Sequence, residues 1–371
     1  MRYFFSSGEA SGELTAVALA REVVRLDPQA SFEGIGAARM REAGFTLWRE
    51  HAGWASMGPF EAIPRIPKLL RACWATAKHI AQVKPDLVVL IDFGAFHVRL
   101  ANELRGKYGY TGPILHVFPP ATWLDSEAAA RAVAANAIAV TAFEHQRDFY
   151  SALGLPIQYF GHPLVARYER RAARPAPPSD GGCVALLPGS RTSELRHHIP
   201  RLIDAYRCLR EQRPNVRAVA AAADAHAERR LRDAIARSGE PIAIVRGIDA
   251  ALADADAAWV ASGTAVLETV LSGVPAAVLY VNAPILVAYG RRVYPGKYIA
   301  LPNIVMDRAI VPEFLQDDAT PRRLADAMEA ILRDPSVQYA AFSELRERLG
   351  PADALERCAR FAVDVAKRQA A

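Results

Sequence analysis

Short runs of apolar residues recur along the chain, and each is followed by a small-residue turn and then by an amphipathic helical pattern. In the first half of the chain these runs lie at residues 3–5, 87–91, 114–118 and 137–141. The runs do not alternate with polar residues, which is typical of parallel strands that are buried on both faces. A series of such strands alternating with helices predicts an α/β fold built on a doubly wound parallel sheet.

A proline-rich stretch interrupts this series. Residues 170–182 read RRAARPAPPSDGG, and proline cannot continue a helix or a central strand. The series then restarts, and a mostly helical pattern closes the chain from about residue 321 to 367. The apolar runs of this second half lie at residues 183–187, 216–221, 242–245, 257–261 and 276–281.

Two Rossmann-like domains explain this organisation. We predict a first domain at 1–170, a proline-rich linker at 171–182, a second domain at 183–350 and a C-terminal helix at 351–371 that is free to pack back on the first domain. In open α/β sheets, ligands bind outside the carboxyl ends of the strands. The two domains are therefore expected to face a shared cleft, and the loops that directly follow the strands are where chemistry is expected.

The loop at 188–194, PGSRTSE, opens the first helix of the second domain. Gly189 and Ser190 lie where helix N–H groups attract anions, and Arg191 adds a rigid fork of donors. A capped helix start would explain Ser190 and Glu194, but it would not explain an arginine placed over the anion site. The pattern favours phosphate binding.

The loop at 261–268, ASGTAVLE, is typical of a nucleotide-diphosphate site. Ser262, Gly263 and Thr264 supply hydroxyl groups and uncovered amides after a predicted strand. Glu268 follows Thr264 by four residues, so the two share one helix face, and its carboxylate could accept both hydroxyls of a ribose. The Gly-Lys-Ser/Thr element of a P-loop is absent from this segment.

Asp92 ends the apolar strand LVVLID of the first domain. A carboxylate at the tip of a central parallel strand lies where an acid–base residue is expected, although a helix N-cap explains it equally well. His97, one helical turn further on, could orient a substrate, but a lone histidine on a helix is more often structural.

The segment SSGEASGE follows the first strand and opens a helix. Gly8 and Gly12 would let the backbone approach a ligand. Glu9 and Glu13 suit a hydroxyl-rich ligand better than a phosphate, because carboxylates repel phosphate. A plain helix start, capped by Ser11, is the alternative.

Composition narrows the class of protein. The 371 residues are 51% hydrophobic, which is enough for two cores, and no apolar run reaches the 18 residues of a membrane span. The polar start is unlike a secretory signal, and the four scattered cysteines predict reduced thiols in a cytosolic protein. The net charge of +5 favours phosphates, nucleotides or an acidic membrane surface as partners, but it is too weak to indicate nucleic acid.

Three further patterns leave alternatives open. Residues 62–82 form a basic amphipathic helix that could lie on an acidic membrane, and a core-facing helix with a solvated basic side explains them too. Asp254 and Asp256 spell a DxD pattern that can hold a divalent cation, but they are expected to be surface or capping carboxylates. His197 and His198 point in different directions on a helix, so we predict no metal site and no cofactor.

Several motifs in the right order resemble the lipid-A-disaccharide synthase family. They are GEASGE (8–13), GIGAARM (34–40), MGPFE (57–61), KPDLVVLID (84–92), FGHPLV (160–165), LLPGSRTSE (186–194), ASGTAVLE (261–268) and LPN (301–303). Each motif is weak alone, but their order makes the resemblance specific. It covers nearly the whole chain, from Ser7 to about residue 350.

The resemblance implies a metal-independent, inverting glycosyltransferase with two Rossmann-like domains, of the GT-B type. Such an enzyme joins UDP-2,3-diacylglucosamine to 2,3-diacylglucosamine 1-phosphate and releases a β-1,6 disaccharide and UDP. The resemblance also implies a cytoplasmic protein that associates peripherally with the inner membrane. The sequence leaves open whether the protein forms a homodimer.

Residue roles follow from the same resemblance. Asp92 would be the catalytic base, and the helix starts at 189–191 and 262–264, with Arg191, would hold the diphosphate. Glu268 would bind the ribose, and Asn303 would also face the nucleotide. The acceptor side would be lined by Glu9, Ser11, Gly12, Met57, His97 and Trp123.

Two departures from the family pattern fall in the first domain. The family usually follows the strand aspartate with Pro-Asp-Phe-Asn, whereas this chain continues with residues 93–97, FGAFH. The family's Ser-Pro-x-x-Trp-Ala-Trp-Arg stretch is here PPATWLDSEAAAR, which keeps Trp123 but loses an arginine. The donor half matches throughout, so UDP-sugar binding is expected and the acceptor is open to change. A non-catalytic UDP-sugar-binding relative, a UDP-sugar epimerase and a structural protein of the membrane surface are the competing hypotheses.

Overall fold

The fold is given by a computed structural model, which describes residues 1–8, 10–51, 54, 66–119, 126–168, 177, 180–283 and 296–370. The chain divides into two compact units: unit 1 comprises Met1–Ala166 and Leu349–Ala371, and unit 2 comprises Arg167–Arg348. The sequence predicted that the first domain ends at residue 170, whereas the first segment of unit 1 ends at Ala166. Arg167 and Tyr168 belong to unit 2, where both bond to Asp249. Most of the expected linker lies outside the described residues.

Unit 1 contains a seven-stranded sheet in which adjacent strands run parallel. The strand order is β3-β2-β1-β4-β5-β6-β7. The strands are β1 (Arg2–Ser7), β2 (Ser31–Gly36), β3 (Thr46–Glu50), β4 (Leu87–Ile91), β5 (Ile114–Val117), β6 (Ile138–Thr141) and β7 (Ile157–Tyr159).

Helices cover both faces of this sheet. They are α1 (Ala10–Leu26), α2 (Ala38–Glu42), α3 (Ile66–Val83), α4 (Gly94–Gly106), α5 (Glu127–Ala134), α6 (Glu144–Ala152), α7 (Leu164–Arg167) and, from the end of the chain, α15 (Ala354–Ala370). Tyr3 and Phe5 of β1 pack with residues of α1 and α15 on one face, whereas Phe4 packs with residues of α3 and α4 on the other. Because successive strand residues point to opposite faces, both sets must be apolar, which explains the unalternated runs.

Unit 2 contains a six-stranded sheet, again with parallel neighbours, in the order β10-β9-β8-β11-β12-β13. Its strands are β8 (Cys183–Leu187), β9 (Arg217–Ala222), β10 (Ile242–Arg246), β11 (Ala257–Ala261), β12 (Ala276–Tyr280) and β13 (Glu313–Leu315). Its helices are α8 (Thr192–Gln212), α9 (Ala225–Ser238), α10 (Ile248–Leu252), α11 (Thr264–Leu271), α12 (Leu301–Met306), α13 (Pro321–Arg333) and α14 (Ser336–Arg348), with a 3-10 turn at Gln316–Asp318.

A large hydrophobic cluster on one face of the unit 2 sheet joins α8 and α13 to that sheet. Trp259 of β11 is fully buried in this cluster, and its indole N–H donates to the carbonyl oxygen of Leu324 at 3.1 Å. This bond satisfies the one polar atom of the side chain, so the tryptophan can fill the core without a desolvation cost.

Four strands lack the apolar run on which the sequence prediction rested. They are β2, β3, β7 and β13. In β2, a Cβ at Gly34 would collide with the carbonyl oxygen of Phe5, so the residue that breaks the run is the one that allows β1 and β2 to lie together. β7 and β13 have only three residues each, and β3 is a partly exposed edge strand.

The amphipathic segment at 62–82 contains α3, with residues 62–65 outside the described part of the chain. Cys73, Ala77 and Ile80 face the core, whereas Ile66 and Trp74 keep 45% and 40% of their surface exposed. The helix therefore packs on the sheet and also presents apolar side chains to solvent. Among the described residues, no helix is long and apolar enough to cross a membrane.

Candidate functional site

Each sheet has one point where the strand order reverses, between β1 and β4 in unit 1 and between β8 and β11 in unit 2. Open α/β sheets bind ligands at this switch point, outside the carboxyl ends of the strands. Asp92 directly follows β4, and the loops at 188–191 and 262–263 directly follow β8 and β11. The structure therefore places the main sequence-predicted loops at the switch points of their own sheets.

Asp92 is exposed at the tip of β4, and the chain turns sharply there. Asp92 has a φ of 54° and Phe93 has a φ of 47°, so two successive residues other than glycine adopt the left-handed conformation. This conformation is disfavoured for residues with a Cβ and persists only where the surroundings impose it. The Asp92 N–H donates to the carbonyl oxygen of Val117 at 2.9 Å, and α4 begins two residues later, at Gly94.

Two buried histidines bond to the carbonyl oxygen of Asp92. His97 Nδ1 lies 2.7 Å and His116 Nε2 lies 3.2 Å from this oxygen. Burial lowers the pKa of His97 to about 3 and that of His116 to about 4, so both rings are neutral at pH 7. Because a carbonyl oxygen can only accept, each contacting nitrogen carries the hydrogen. His97 Nε2 therefore accepts from the Ser6 hydroxyl at 2.8 Å.

The expected position of His97 on the acceptor side was wrong. The side chain has no exposed surface and contacts the backbone of Asp92 instead of solvent. His116, in the middle of the apolar run ILHVF, was missed by the sequence analysis. A polar residue inside an otherwise apolar central strand is the signal that could have drawn attention to it.

The loop after β1 is packed tightly against the turn at Phe93. A Cβ at Gly8 would collide with the Phe93 ring, so Gly8 brings the loop close to protein and not to a ligand. Gly12 is buried in α1, where an added Cβ would lie 3.1 Å from the Cβ of Ser7. Its expected place on the acceptor side is therefore corrected to a helix–strand contact. Ser11 is exposed within the first turn of α1.

Glu13 is buried and accepts from the N–H of Ala37, which precedes α2. The carboxylate therefore joins the segment GEASGE to the segment GIGAARM within the protein. The other predicted acceptor-side residues, Glu9, Met57 and Trp123, lie outside the described residues.

In the loop after β8, the amides are already occupied by a carboxylate of the same chain. Glu194, which is 4% exposed, accepts from the N–H groups of Ser190 and Arg191, both at 3.2 Å. Its other oxygen lies 2.9 Å from Nη1 of Arg191. A Cβ at Gly189, where φ is 99°, would collide with this carboxylate. Two amides of the anion site expected at 189–191 are therefore occupied within the protein, and what this loop offers a ligand is the partly exposed Arg191 guanidinium and Ser190.

The loop after β11 is more open. Gly263 has a φ of 149° and an added Cβ would meet no atom within 4 Å, and both Gly263 and Thr264 are exposed. α11 begins at Thr264 without a side-chain cap. The Ser262 hydroxyl donates to the carbonyl oxygen of Ile299 at 3.1 Å and so fixes the loop. This helix start can offer backbone N–H groups and a hydroxyl to an anion.

Glu268 lies one turn further along α11 and is 9% exposed. Its Oε2 is 3.1 Å from the Tyr168 hydroxyl, which also lies 2.9 Å from Oδ1 of Asp249. Burial raises the pKa of Glu268, whereas the nearby Arg167 and the bond from Tyr168 act in the opposite direction. Glu268 is therefore held in place by a residue from the start of unit 2.

Asn303 is wholly buried, and the protein uses its entire hydrogen-bonding capacity. Its Nδ2 donates to the carbonyl oxygen of Val311 at 2.8 Å and to Glu313 Oε1 at 2.7 Å. Its Oδ1 accepts from the N–H groups of Ile310 and Val311 at 2.7 and 3.0 Å. The expected contact between Asn303 and a nucleotide was therefore wrong, because no polar atom of Asn303 is left to bind one.

His198 connects the loop after β8, which contains Arg191, to the segment after β12. Its Nδ1 donates to the carbonyl oxygen of Pro188 at 2.9 Å, and its Nε2 accepts from the N–H of Val281, just after β12, at 3.0 Å. In the DxD segment, Asp256 accepts from the N–H of Cys183 at 2.8 Å, so its carboxylate bonds to the first residue of β8. Within the described residues, no group of three or more His, Cys, Asp or Glu is placed to hold a metal ion.

Comparison with known proteins adds the family. The sequence model of a protein family described as Lipid-A-disaccharide synthetase matches residues 3–353 of this chain. The chain belongs to the lipid-A-disaccharide synthase family. The lipid-A-disaccharide synthase of Syntrophus aciditrophicus is 32% identical over 98% of this chain and 97% of its own length. That of Geobacter sulfurreducens is 30% identical over 99% and 98%. The family expected from the motifs is thereby confirmed.

Solved structures show the fold. MurG of Acinetobacter baumannii superimposes with a TM-score of 0.60 at 16% identity, over 98% of this chain and 99% of that one. UDP-GlcNAc 2-epimerase of Neisseria meningitidis, solved bound to UDP-GlcNAc, gives a TM-score of 0.58 at 10% identity, over 99% and 100%. The expected GT-B fold is confirmed, and with the family it identifies a glycosyltransferase of lipid A synthesis.

The first prediction concerns the Tyr168 hydroxyl. Tyr168→Phe should lower the free energy of unfolding by about 1–3 kcal/mol, because it leaves the buried oxygen of Glu268 without its donor. Tyr150→Phe is the matched control, since the buried Tyr150 hydroxyl has no hydrogen-bond partner among the described residues. Urea denaturation measures the free energy of unfolding of both variants. An equal loss in the two variants would contradict the assigned bond.

The second prediction concerns acid. His97, His116 and His162 have pKa values lowered by burial to about 3, 4 and 3, below the unfolded value of about 6.5. Below pH 6.5 the unfolded chain therefore binds more protons than the folded chain. The contribution of the three histidines to the free energy of unfolding is complete above that pH and is lost as the pH falls towards 4. Each group adds at most about 1.4 kcal/mol per pH unit.

His162→Asn isolates one of these groups. The asparagine oxygen can replace His162 Nδ1 as acceptor for the N–H of Leu164 but does not titrate. The free energy of unfolding, measured in urea between pH 7.5 and 5, should depend on pH less steeply in the variant, by about one proton. Identical slopes would show that His162 titrates normally in the folded protein.

Proposed function

We propose that the protein transfers a 2,3-diacylglucosamine unit from UDP-2,3-diacylglucosamine to 2,3-diacylglucosamine 1-phosphate, with inversion at the anomeric carbon. The observation that carries this proposal is that, in a chain of this family, an exposed aspartate and an exposed small-residue helix start lie at the switch points of the two sheets. The products are the lipid A disaccharide and UDP.

Unit 2 binds the donor in this proposal. The start of α11, with Gly263 and Thr264, receives the diphosphate, and Arg191 contributes a positive charge from the neighbouring loop. Tyr168 fixes one oxygen of Glu268, which leaves Oε1 to accept from the ribose hydroxyls. The UDP-GlcNAc 2-epimerase, a fold relative that was solved bound to UDP-GlcNAc, supports a nucleotide sugar as the ligand class.

Asp92 is the general base in this proposal. Its carboxylate accepts the proton of the acceptor's 6-hydroxyl as that oxygen attacks the anomeric carbon of the donor. The bond from this carbon to the diphosphate oxygen breaks, and UDP leaves with the electron pair. The helix dipole and Arg191 stabilise the negative charge that develops on the diphosphate, so the residues at hand can supply both catalytic effects.

The acylated substrates suggest where the protein works. We propose that it is cytoplasmic and associates peripherally with the inner membrane through α3, whose exposed Ile66 and Trp74 lie among Lys68, Arg71 and Lys78. Apolar side chains flanked by basic ones suit the boundary of an anionic bilayer.

The third prediction tests the base. Asp92→Asn should lower kcat about 10²–10⁴-fold, because the amide cannot accept the proton. Asparagine tolerates the left-handed conformation of this position, so the variant should fold like the wild type. Disaccharide formation from the two substrates is measured alongside UDP affinity by calorimetry. Wild-type turnover in this variant would refute the role of Asp92, and UDP-sugar conversion without an acceptor would favour an epimerase.

The fourth prediction tests the donor site. Glu268→Gln and Arg191→Ala should each weaken UDP binding by about 1.5–3 kcal/mol, which is about 10- to 150-fold, because each removes a charged partner. Arg196→Ala is the control, since Arg196 is exposed on α8 outside the loop. Calorimetry gives the affinities. A loss of the same size in Arg196→Ala would indicate a general charge effect and not a site.

A further inference from the structure

The carbonyl oxygen of Asp92 is bound from two sides inside unit 1. His97 reaches it from the first turns of α4, and His116 reaches it from β5, the strand that pairs with β4. The two rings lie 5.7 Å apart, nearly perpendicular, and both are at most 1% exposed. Two donors on one carbonyl use both of its lone pairs, so the oxygen is fully satisfied.

This geometry explains how the strained turn is maintained. With both Asp92 and Phe93 in the left-handed conformation, the peptide group that joins them directs its oxygen into the protein, while the Asp92 side chain remains exposed. A relaxed conformation would turn the buried oxygen away from both imidazoles and leave their N–H groups without acceptors, which is costly in a dry interior. The histidines therefore stabilise the one backbone conformation that presents this carboxylate.

The arrangement extends to β1. Ser6 pairs in register with Leu90 of β4, and its hydroxyl donates to His97 Nε2 at 2.8 Å. This bond fixes the tautomer of His97 with its hydrogen on Nδ1, which is the nitrogen that faces Asp92. Residues of α4 and β5 thus bind this carbonyl group directly, and Ser6 of β1 supports it through His97.

We propose that His97 and His116 are positioning residues that hold the Asp92 carboxylate in its productive orientation by binding the backbone oxygen of the same residue. Neither histidine touches substrate. The inference rests on the proposed function, because it assigns the orientation of Asp92 a role in glycosyl transfer.

A crossed set of substitutions tests the proposal. Asparagine can place an N–H near the position of Nδ1, and glutamine can place one near Nε2. His97→Asn and His116→Gln therefore keep the donor to Asp92, whereas His97→Gln and His116→Asn remove it. The pairs use the same two amino acids in opposite places, so general effects of size and polarity cancel. His79→Gln is a further control, since His79 bonds to Glu33 and lies away from Asp92.

The expected result is a separation of kcat from binding. His97→Gln and His116→Asn should lower kcat about 10- to 100-fold, with KM for the donor and UDP affinity within about twofold of the wild type. His97→Asn and His116→Gln should recover most of the lost kcat, and His79→Gln should have no effect. Equal losses in all four variants, in proportion to the fraction of folded protein, would overturn the proposal.

A second measurement is independent of catalysis. Hydrogen exchange, followed by mass spectrometry, reports the amide of Asp92, which is bonded to Val117. Exchange in the peptide covering residues 92–97 should accelerate about tenfold or more in His97→Gln and His116→Asn only. If the wild type formed no disaccharide, the proposed function would fail while exchange still decided whether the histidines hold this turn. Unchanged exchange in all variants would refute the positioning role itself.

Discussion

Strand order reverses beside β1 in unit 1 and beside β8 in unit 2, and this reversal determines where chemistry can occur. Crossovers between parallel strands are right-handed, so the chain leaves the two strands at the switch point towards opposite faces of the sheet. The loops there diverge and leave room for a ligand. Asp92, the Arg191 loop and the start of α11 are in position because of this topology, and among the strands that the structure describes no other neighbouring pair offers the same opening.

The sequence predicted the parts of the fold that follow from burial on both faces. Central strands such as β4, β8 and β11 appear as unbroken apolar runs, and their bounds were predicted to the residue. β2 was missed because Gly34, which breaks its run, is needed for the close approach of Phe5. Edge and three-residue strands bury too little surface to leave a pattern, so β3, β7 and β13 could not be recognised.

The candidate site was predictable by location but not by residue role. A loop after a central strand can be read from the sequence, whereas the partner of each polar group depends on contacts distant in the chain. Glu194 occupies two of the amides that were assigned to a phosphate. The polar atoms of Asn303 are all hydrogen-bonded to the segment at 310–313. In both cases a polar side chain of the protein fixes the backbone of a loop at the place where a ligand contact was expected. Rigid loops of this kind reduce the entropy lost when a substrate binds.

Unit 2 is inserted within unit 1, since the chain completes residues 167–348 before it reaches α15. α15 supplies Cys358, Ala359 and Ala362 to the core that also contains Leu19 and Val23 of α1. During synthesis on the ribosome, the side chains of α1 that pack on α15 therefore remain uncovered until α15 has emerged, although unit 2 can already close. Synthesis of unit 1 thus begins before unit 2 is made and is completed after it, and in that interval the uncovered apolar surface of unit 1 is a surface that chaperones bind.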